Sequence, residues 1–313
     1  MRVLRRIVLG IMGLIGIAWA ALAVYAYWPG TPETPARQLA APEDRFVSVD
    51  GMDLRYRTFG APGAGKPNVV LIHGFANSLQ SFRLLAPLLQ GHFYVVTVDA
   101  PGFGLSAKPA DHDYSNASQA RAIADFAAAI GLERYVIGGH SMGGTLSVYI
   151  AATDPHVNGM VLMNPGIIST GVPPISQYLI WPFPRAMAKT FGSRDFRAAF
   201  LKRSFINQAI VTEQVLADMM LAPRSEGYLT GMTSMMGQYE TGEEPVMAAR
   251  VRVPTLITWG MQDKSKKPGE FEAVHRLIPG SKLVEVNNSG HYVQEEQPAA
   301  VAAAMIAEVP DWL

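Results

Sequence analysis

Cysteine is absent from the 313-residue chain. Without a thiol there can be no disulfide, no zinc–thiolate centre and no cysteine nucleophile, and the redox compartment stays undetermined. Charge of one sign is lacking too, because 26 Lys and Arg balance 26 Asp and Glu. No global basic field is available to hold nucleic acid, which is not expected as a partner. None of the histidines falls in an H-E-x-x-H or similar spacing, so neither a metal site nor a cofactor is expected. Gly138 and Gly139 lack the further glycines of a nucleotide loop, and no Gly-Lys-Ser/Thr follows them, which argues against phosphate cradling. There is no internal repeat.

Apolar sequence is plentiful, and its first block is N-terminal. Arg2, Arg5 and Arg6 precede an uncharged run from Ile7 to Trp28, closed by Pro29-Gly30. As a helix at about 1.5 Å per residue this run spans about 33 Å, enough to cross a hydrocarbon core of roughly 30 Å. Tyr25, Tyr27 and Trp28 would sit at the far interface. Residues 1–30 therefore read as a single-pass membrane anchor. A signal peptide is the alternative, since Ala18-Trp19-Ala20 and Ala21-Leu22-Ala23 are small-x-small sites, although the run exceeds the usual apolar core of such a peptide. The arginines would stay cytoplasmic and put the remainder on the non-cytoplasmic side. Residues 31–44, rich in Pro, Ala and charge, read as a tether.

From Arg45 the pattern is that of an α/β domain. Phe46–Val49 and Leu54–Thr58 alternate apolar and polar residues about Asp50-Gly51, a hairpin signature. Val69–Ile72 and Val95–Val98 are continuous apolar runs, as strands buried on both faces require, with a helix predicted between them over Leu79–Leu89. A helix over Ser118–Ile130, a strand over Tyr135–Ile137, a helix over Thr145–Ala152 and a strand over Met160–Met163 continue the alternation, which predicts a mostly parallel sheet. The series stops after Asn164-Pro165 and resumes at Thr255–Trp259, followed by a helix at Glu270–Leu277, a strand at Leu283–Val286 and a helix at Ala299–Glu308. One core, 45–165 with 253–313, interrupted by a helical insertion at 166–252, explains this better than two domains.

Gly139-His140-Ser141-Met142-Gly143 fits G-x-S-x-G between a strand and a helix. In a nucleophile elbow the flanking glycines permit a sharp turn, the Ser141 hydroxyl stands clear of the sheet, and the Met142 N–H at the helix start can face a developing negative charge. A plain Gly-rich turn matches the same five residues. A serine needs a base, usually a histidine held by a carboxylate, and in elbow folds the chain order is serine, acid, histidine. His156 follows too soon, and His275 lies within a helix. His291, on a glycine-opened loop after a strand, is the candidate base, and Asp263, in the loop after Thr258-Trp259-Gly260, the candidate acid. A second oxyanion donor is expected from the Phe75 N–H in His73-Gly74-Phe75. His73 and Asp99 read as structural turn residues.

Taken together, these segments resemble the α/β-hydrolase fold family over about Arg45 to Leu313. The His-Gly-Phe loop, the Asp-x-Pro-Gly-Phe-Gly turn, the Gly-His-Ser-Met-Gly-Gly elbow, the Trp-Gly-x-x-Asp acid loop and the Ser-Gly-His base loop occur in the family's order. The resemblance implies an eight-stranded sheet with one antiparallel strand and a helical cap inserted after strand 6. Dehalogenases and epoxide hydrolases of the family carry aspartate where Ser141 stands, which disfavours those activities. Ser-Met-Gly-Gly is similar to carboxylesterases, monoacylglycerol lipases and carbon–carbon bond hydrolases of aromatic degradation; an anchor with a Pro-rich tether resembles membrane-bound monoacylglycerol hydrolases.

The expectation is a serine esterase or lipase acting on a small-molecule acyl ester, with membrane lipid as its surroundings. A carbon–carbon bond hydrolase and a non-catalytic tethered binding protein are the alternatives. In the cap, Met219, Met220, Met232, Met235 and Met236, with Leu216 and Leu221, read either as core or as acyl lining. Tyr178, Trp181 and Phe183 with Arg185, Lys189, Arg194, Arg197, Lys202 and Arg203 read either as a surface for anionic headgroups or as a solvated face.

Overall fold

The computed structural model describes every residue except Thr31, Ala64, 171–177, Tyr239, Glu240 and Leu313. A helix α1 (Arg2–Tyr27) leads, through the short α2 (Ala36–Leu39), into an eight-stranded sheet. Strands β1 (Arg45–Val49) and β2 (Met52–Phe59) form the hairpin, and both Asp50 and Gly51 take the positive φ that a tight type I′ connection demands. Then come β3 (Asn68–Ile72), α3 (Ala86–Leu89), β4 (Tyr94–Val98), α4 (Asn116–Ala129), β5 (Tyr135–His140), α5 (Met142–Thr153) and β6 (Val157–Met163).

The order across the sheet is β1-β2-β4-β3-β5-β6 and then β7 (Thr255–Gly260) and β8 (Lys282–Val286), with β2 antiparallel to its neighbours and the rest parallel. Val69, Val70, Leu71 and Ile72 are wholly buried, as a strand covered by helices on both faces must be. The sheet is completed by α12 (Glu270–Leu277) between β7 and β8, and by α13 (Val293–Glu296) and α14 (Pro298–Glu308) after β8.

The helix predicted over Leu79–Leu89 is instead a 3₁₀ turn at Leu79–Phe82 followed by α3. Pro87 is the reason: it has no N–H to continue a ladder and its ring would strike the carbonyl of Arg83, so it is accommodated only in the first turn of a new helix.

Between β6 and β7 lies the helical cap: α6 (Phe183–Phe191), α7 (Arg194–Ser204), α8 (Glu213–Met219), α9 (Leu221–Arg224), α10 (Tyr228–Gln238) and α11 (Glu244–Ala248). The segment 31–44, read from sequence as a tether, is fastened to the folded body at Glu33, Thr34 and Asp44. Thr34 exchanges backbone hydrogen bonds with Arg224 and Glu226, the Glu33 carboxylate accepts the Gly227 N–H at 2.8 Å, and buried Asp44 pairs with Arg55 and Arg57. Their charges find partners on the domain, which a composition argument cannot foresee.

Most of α1 is exposed, but its C-terminal end docks on α6. Lys189 donates to the carbonyls of Tyr25 and Trp28, Arg185 donates to that of Ala26, Trp181 Nε1 donates to the Tyr27 hydroxyl, and Trp19 meets Phe183 edge-on at 5.2 Å. A helix C-terminus carries unpaired carbonyls and partial negative charge, which is what these two cations satisfy.

Candidate active site

The carboxyl ends of β5, β7 and β8 converge on one point. At the first, Ser141 has φ 53° and ψ −115°, a conformation forced on it by the strand-to-helix reversal. Such a turn leaves no room for side chains beside it: a Cβ on Gly139 would lie 2.1 Å from the Gly143 carbonyl oxygen, and one on Gly143 would lie 2.0 Å from that of Ile72. The loops after β7 and β8 bring in the other two groups. The Ser141 hydroxyl lies 3.1 Å from His291 Nε2, and His291 Nδ1 lies 2.7 Å from Asp263 Oδ2. Three side chains spread over 150 residues are thus arranged in series as hydroxyl, imidazole and carboxylate, the order a nucleophile, base and acid would need.

The surroundings hold Asp263 as an anion. Burial alone would raise its pKa, but the hydrogen bond and charge of His291 and two hydrogen bonds from Ser265 keep it well below the usual carboxylate range. Ser265 donates to Oδ1 from its hydroxyl at 2.6 Å and its N–H at 2.8 Å. Asn164 donates to Oδ2 at 2.9 Å while its own carbonyl accepts the Gly260 N–H at 2.9 Å.

On the other side, His140 Nε2 donates to the carbonyl of His291 at 2.8 Å, and the two rings lie 4.7 Å apart. Burial, reinforced by the neighbouring His291, pushes the His140 pKa far down, so it stays neutral. Sequence reasoning missed Asn164, Ser265 and His140. Their one local signal is position, since each stands at or just beyond the carboxyl end of a strand.

Phe75 and Met142, the expected oxyanion donors, flank the nucleophile. Gly74 is pressed so close that a Cβ there would sit 3.2 Å from that of Ser141, and Met142 is the first residue of α5. Among the described residues neither the Phe75 nor the Met142 N–H donates a backbone hydrogen bond outside regular elements. Arg197 of the cap secures this loop: fully enclosed, it donates to the carbonyls of Ala76, Phe191 and Met219 and to the Tyr228 hydroxyl.

His73 and Asp99 are structural, as expected: His73 accepts the Ala100 N–H, and Asp99 accepts those of Leu79 and Leu105. His156 pairs with Asp154 and His275 with Ser281, both apart from the site.

Above Ser141 is a cavity of about 430 Å³ whose apolar wall includes Phe75, Leu179, Met187, Phe191, Phe200 and Met236. Of the methionine stripe only Met236 lines it, while Met219, Met232 and Met235 are buried in the core; α6 and α7 contribute Met187, Phe191 and Phe200 to the apolar lining. The basic cap residues divide as well. Arg185 and Lys189 bind the end of α1, Arg197 is internal and Arg194 pairs with Glu213, so as a group they do not form the headgroup surface entertained from sequence.

A profile of the alpha/beta hydrolase fold matches residues 67–298. The chain belongs to the α/β-hydrolase fold family. Its relatives include a hydrolase of Bacillus subtilis, YugF, described as uncharacterized and 26% identical over 85% of this chain and 97% of that protein. Haloalkane dehalogenase 2 of Mycobacterium tuberculosis is 28% identical over 87% and 97% of the respective chains, and Lipase 3 of a Moraxella strain is 28% identical over 72% of each.

Among solved structures, a serine hydrolase of carbazole degradation superposes with TM-score 0.69 at 24% identity over 84% of this chain and 97% of the other. A bacterial membrane phospholipase A superposes with TM-score 0.68 at 24% identity over 98% and 99%. At these identities the structural likeness establishes the fold. The protein is a hydrolase by family, and α1 is long and apolar enough to cross a membrane.

Proposed function

We propose that this hydrolase cleaves carboxylic esters of lipid-like acyl chains through an acyl-enzyme on Ser141. The observation that carries the reading is the Ser141–His291–Asp263 series at the floor of an apolar cavity. His291 takes the Ser141 proton as the hydroxyl attacks the ester carbonyl, and the N–H groups of Phe75 and Met142 receive the oxyanion. The imidazolium, stabilised by Asp263, then protonates the leaving alcohol, and water repeats the sequence on the acyl-enzyme.

A relative named as a lipase supports the ester reading. One named as a dehalogenase does not extend to this chain, because serine attack on an alkyl halide would leave a stable ether, whereas a carboxylate nucleophile leaves an ester that water can open.

The membrane reading rests on α1 and its docking. If α1 spans the bilayer with Arg2, Arg5 and Arg6 cytoplasmic, Tyr25, Tyr27 and Trp28 reach the far interface, and Trp181, bonded to Tyr27, lies at the same level. The cap would then rest against the lipid surface from which an acyl substrate comes.

Labelling of the purified full chain by a fluorophosphonate tests the mechanism. Wild type should be labelled, with Ser141→Ala and His291→Ala losing the label. A folded wild type that resists the probe would remove the serine-nucleophile reading.

A further inference from the structure

In a hydrolase of this kind the base hands its proton to the leaving oxygen, so the alcohol part of the ester must sit against His291. Two cations flank that residue on the cavity wall. Arg203 stands in the last turn of α7 beside Ser204, whose carbonyl accepts the His291 N–H at 3.4 Å. Lys264 stands between Asp263 and Ser265, whose side chains lie 2.7 Å and 3.2 Å from His291 Nδ1.

Among the described residues, no side-chain hydrogen bond or ion pair involves Arg203 or Lys264, unlike the third cation on the wall. Lys266, also on the wall, is engaged by the carbonyls of Pro165 and Ser169 and by Glu270.

Among the described residues, no carboxylate is bonded to either side chain. Asp263 is the acid among the cavity-lining residues, and its oxygens are taken by His291, Asn164 and Ser265. Glu296, close to the base loop, instead accepts the N–H groups of Ile206, Asn207 and Gly290. Among the described residues the leaving-group side of an otherwise apolar cavity therefore sets the two cations Arg203 and Lys264 against one anion, Asp263, and is net positive. Both residues are solvent-exposed, so their attraction for an anion is open to screening by salt.

We propose that the preferred substrate is an acyl ester whose alcohol carries a phosphate, received by Arg203 and Lys264. A guanidinium fork matches phosphate oxygens in pairs, and an ammonium adds a point charge. This rests on the ester-hydrolase reading of the same site. The phosphate can belong to a lipid in a surface or to a dissolved ester, and both present the same oxygens.

The test uses the full chain in neutral detergent with two matched pairs: a long-chain 1-acylglycerol 3-phosphate against the 1-acylglycerol, and the same pair with a butyryl chain in free solution. Wild type should favour the phosphate ester in kcat/KM by about ten-fold or more at low salt, with the preference shrinking as ionic strength screens it. In the Arg203→Gln/Lys264→Gln double variant the ratio should approach unity, Arg203→Glu should invert it, and Arg203→Lys should retain part of it.

Preference in both pairs would identify recognition of the phosphate itself, and preference in the long-chain pair alone would identify recognition at a lipid surface; each supports the proposal. A wild-type ratio near unity, or a preference that survives in the double variant, overturns it while leaving the ester reading intact. Turnover of no ester in either pair overturns both.

Discussion

Asn164 shows how much one side chain can settle. It lies 99 residues before the candidate acid, is wholly buried at φ 43°, and bridges Asp263 to the Gly260 backbone. Asparagine tolerates that left-handed conformation and supplies both a donor and an acceptor there. Asn164→Gly keeps the backbone free to adopt positive φ but removes both hydrogen bonds. Its kcat on a soluble ester should fall roughly ten- to a hundred-fold, with KM little changed and the pH–rate profile displaced, since a misoriented acid misaligns His291. An unchanged kcat would mean that Ser265 alone holds the carboxylate.

At the scale of elements, the cap and the core meet through Arg197. Among the described residues its guanidinium has no carboxylate partner, and it is satisfied by three carbonyls and a hydroxyl drawn from the loop after β3 and from α6, α8 and α10. Arg197→Met deprives several buried acceptors at once, each worth about 1–3 kcal/mol when left unsatisfied. The expected result is a fall of several degrees in Tm together with lower kcat, because Ala76 adjoins the proposed oxyanion donor Phe75; calorimetry and ester kinetics on one preparation check both.

The α1–α6 contact is a second joint. Arg185→Ala/Lys189→Ala removes the cations at the helix C-terminus, an interaction of about 0.3–1 kcal/mol each. Hydrogen exchange of α6 amides should then quicken several-fold while that of β5 stays constant; equal protection in α6 would show that Trp19 and Trp181 suffice to hold it.

Across the whole molecule, two buried histidines tie stability to pH. His73 and His140 are both fully enclosed, and burial lowers the pKa of each below the ordinary value. The unfolded chain takes up these protons near pH 6.5 and the folded chain does not, so stability is retained above that pH and lost as pH falls below it. Asp263 behaves similarly only at lower pH, since its unfolded value is about 3.9. Tm measured in detergent should decline steadily from pH 7 to pH 5; a flat curve over that interval would show that the two imidazoles are not held neutral.

What the sequence determined by itself was whatever its neighbours along the chain dictate. The elbow at Ser141, the buried runs of β3, β4 and β5, the hairpin at Asp50-Gly51 and the acid and base loops after β7 and β8 are legible because backbone sterics and burial periodicity act over a few residues. Pro87 belonged there too, and attention to its missing N–H would have broken the helix expected over Leu79–Leu89.

Only the tertiary structure decided which partner each polar group would take. Arg185 and Lys189 could have faced lipid and instead serve the carbonyls of α1; Arg197 could have been solvated and is enclosed; the side chains of Arg203 and Lys264, on the wall with His291, have no bonded partner among the described residues. The same charged residue types satisfy several environments equally well in composition. The choice among them rests on contacts between segments more than a hundred residues apart, which only the packed fold creates.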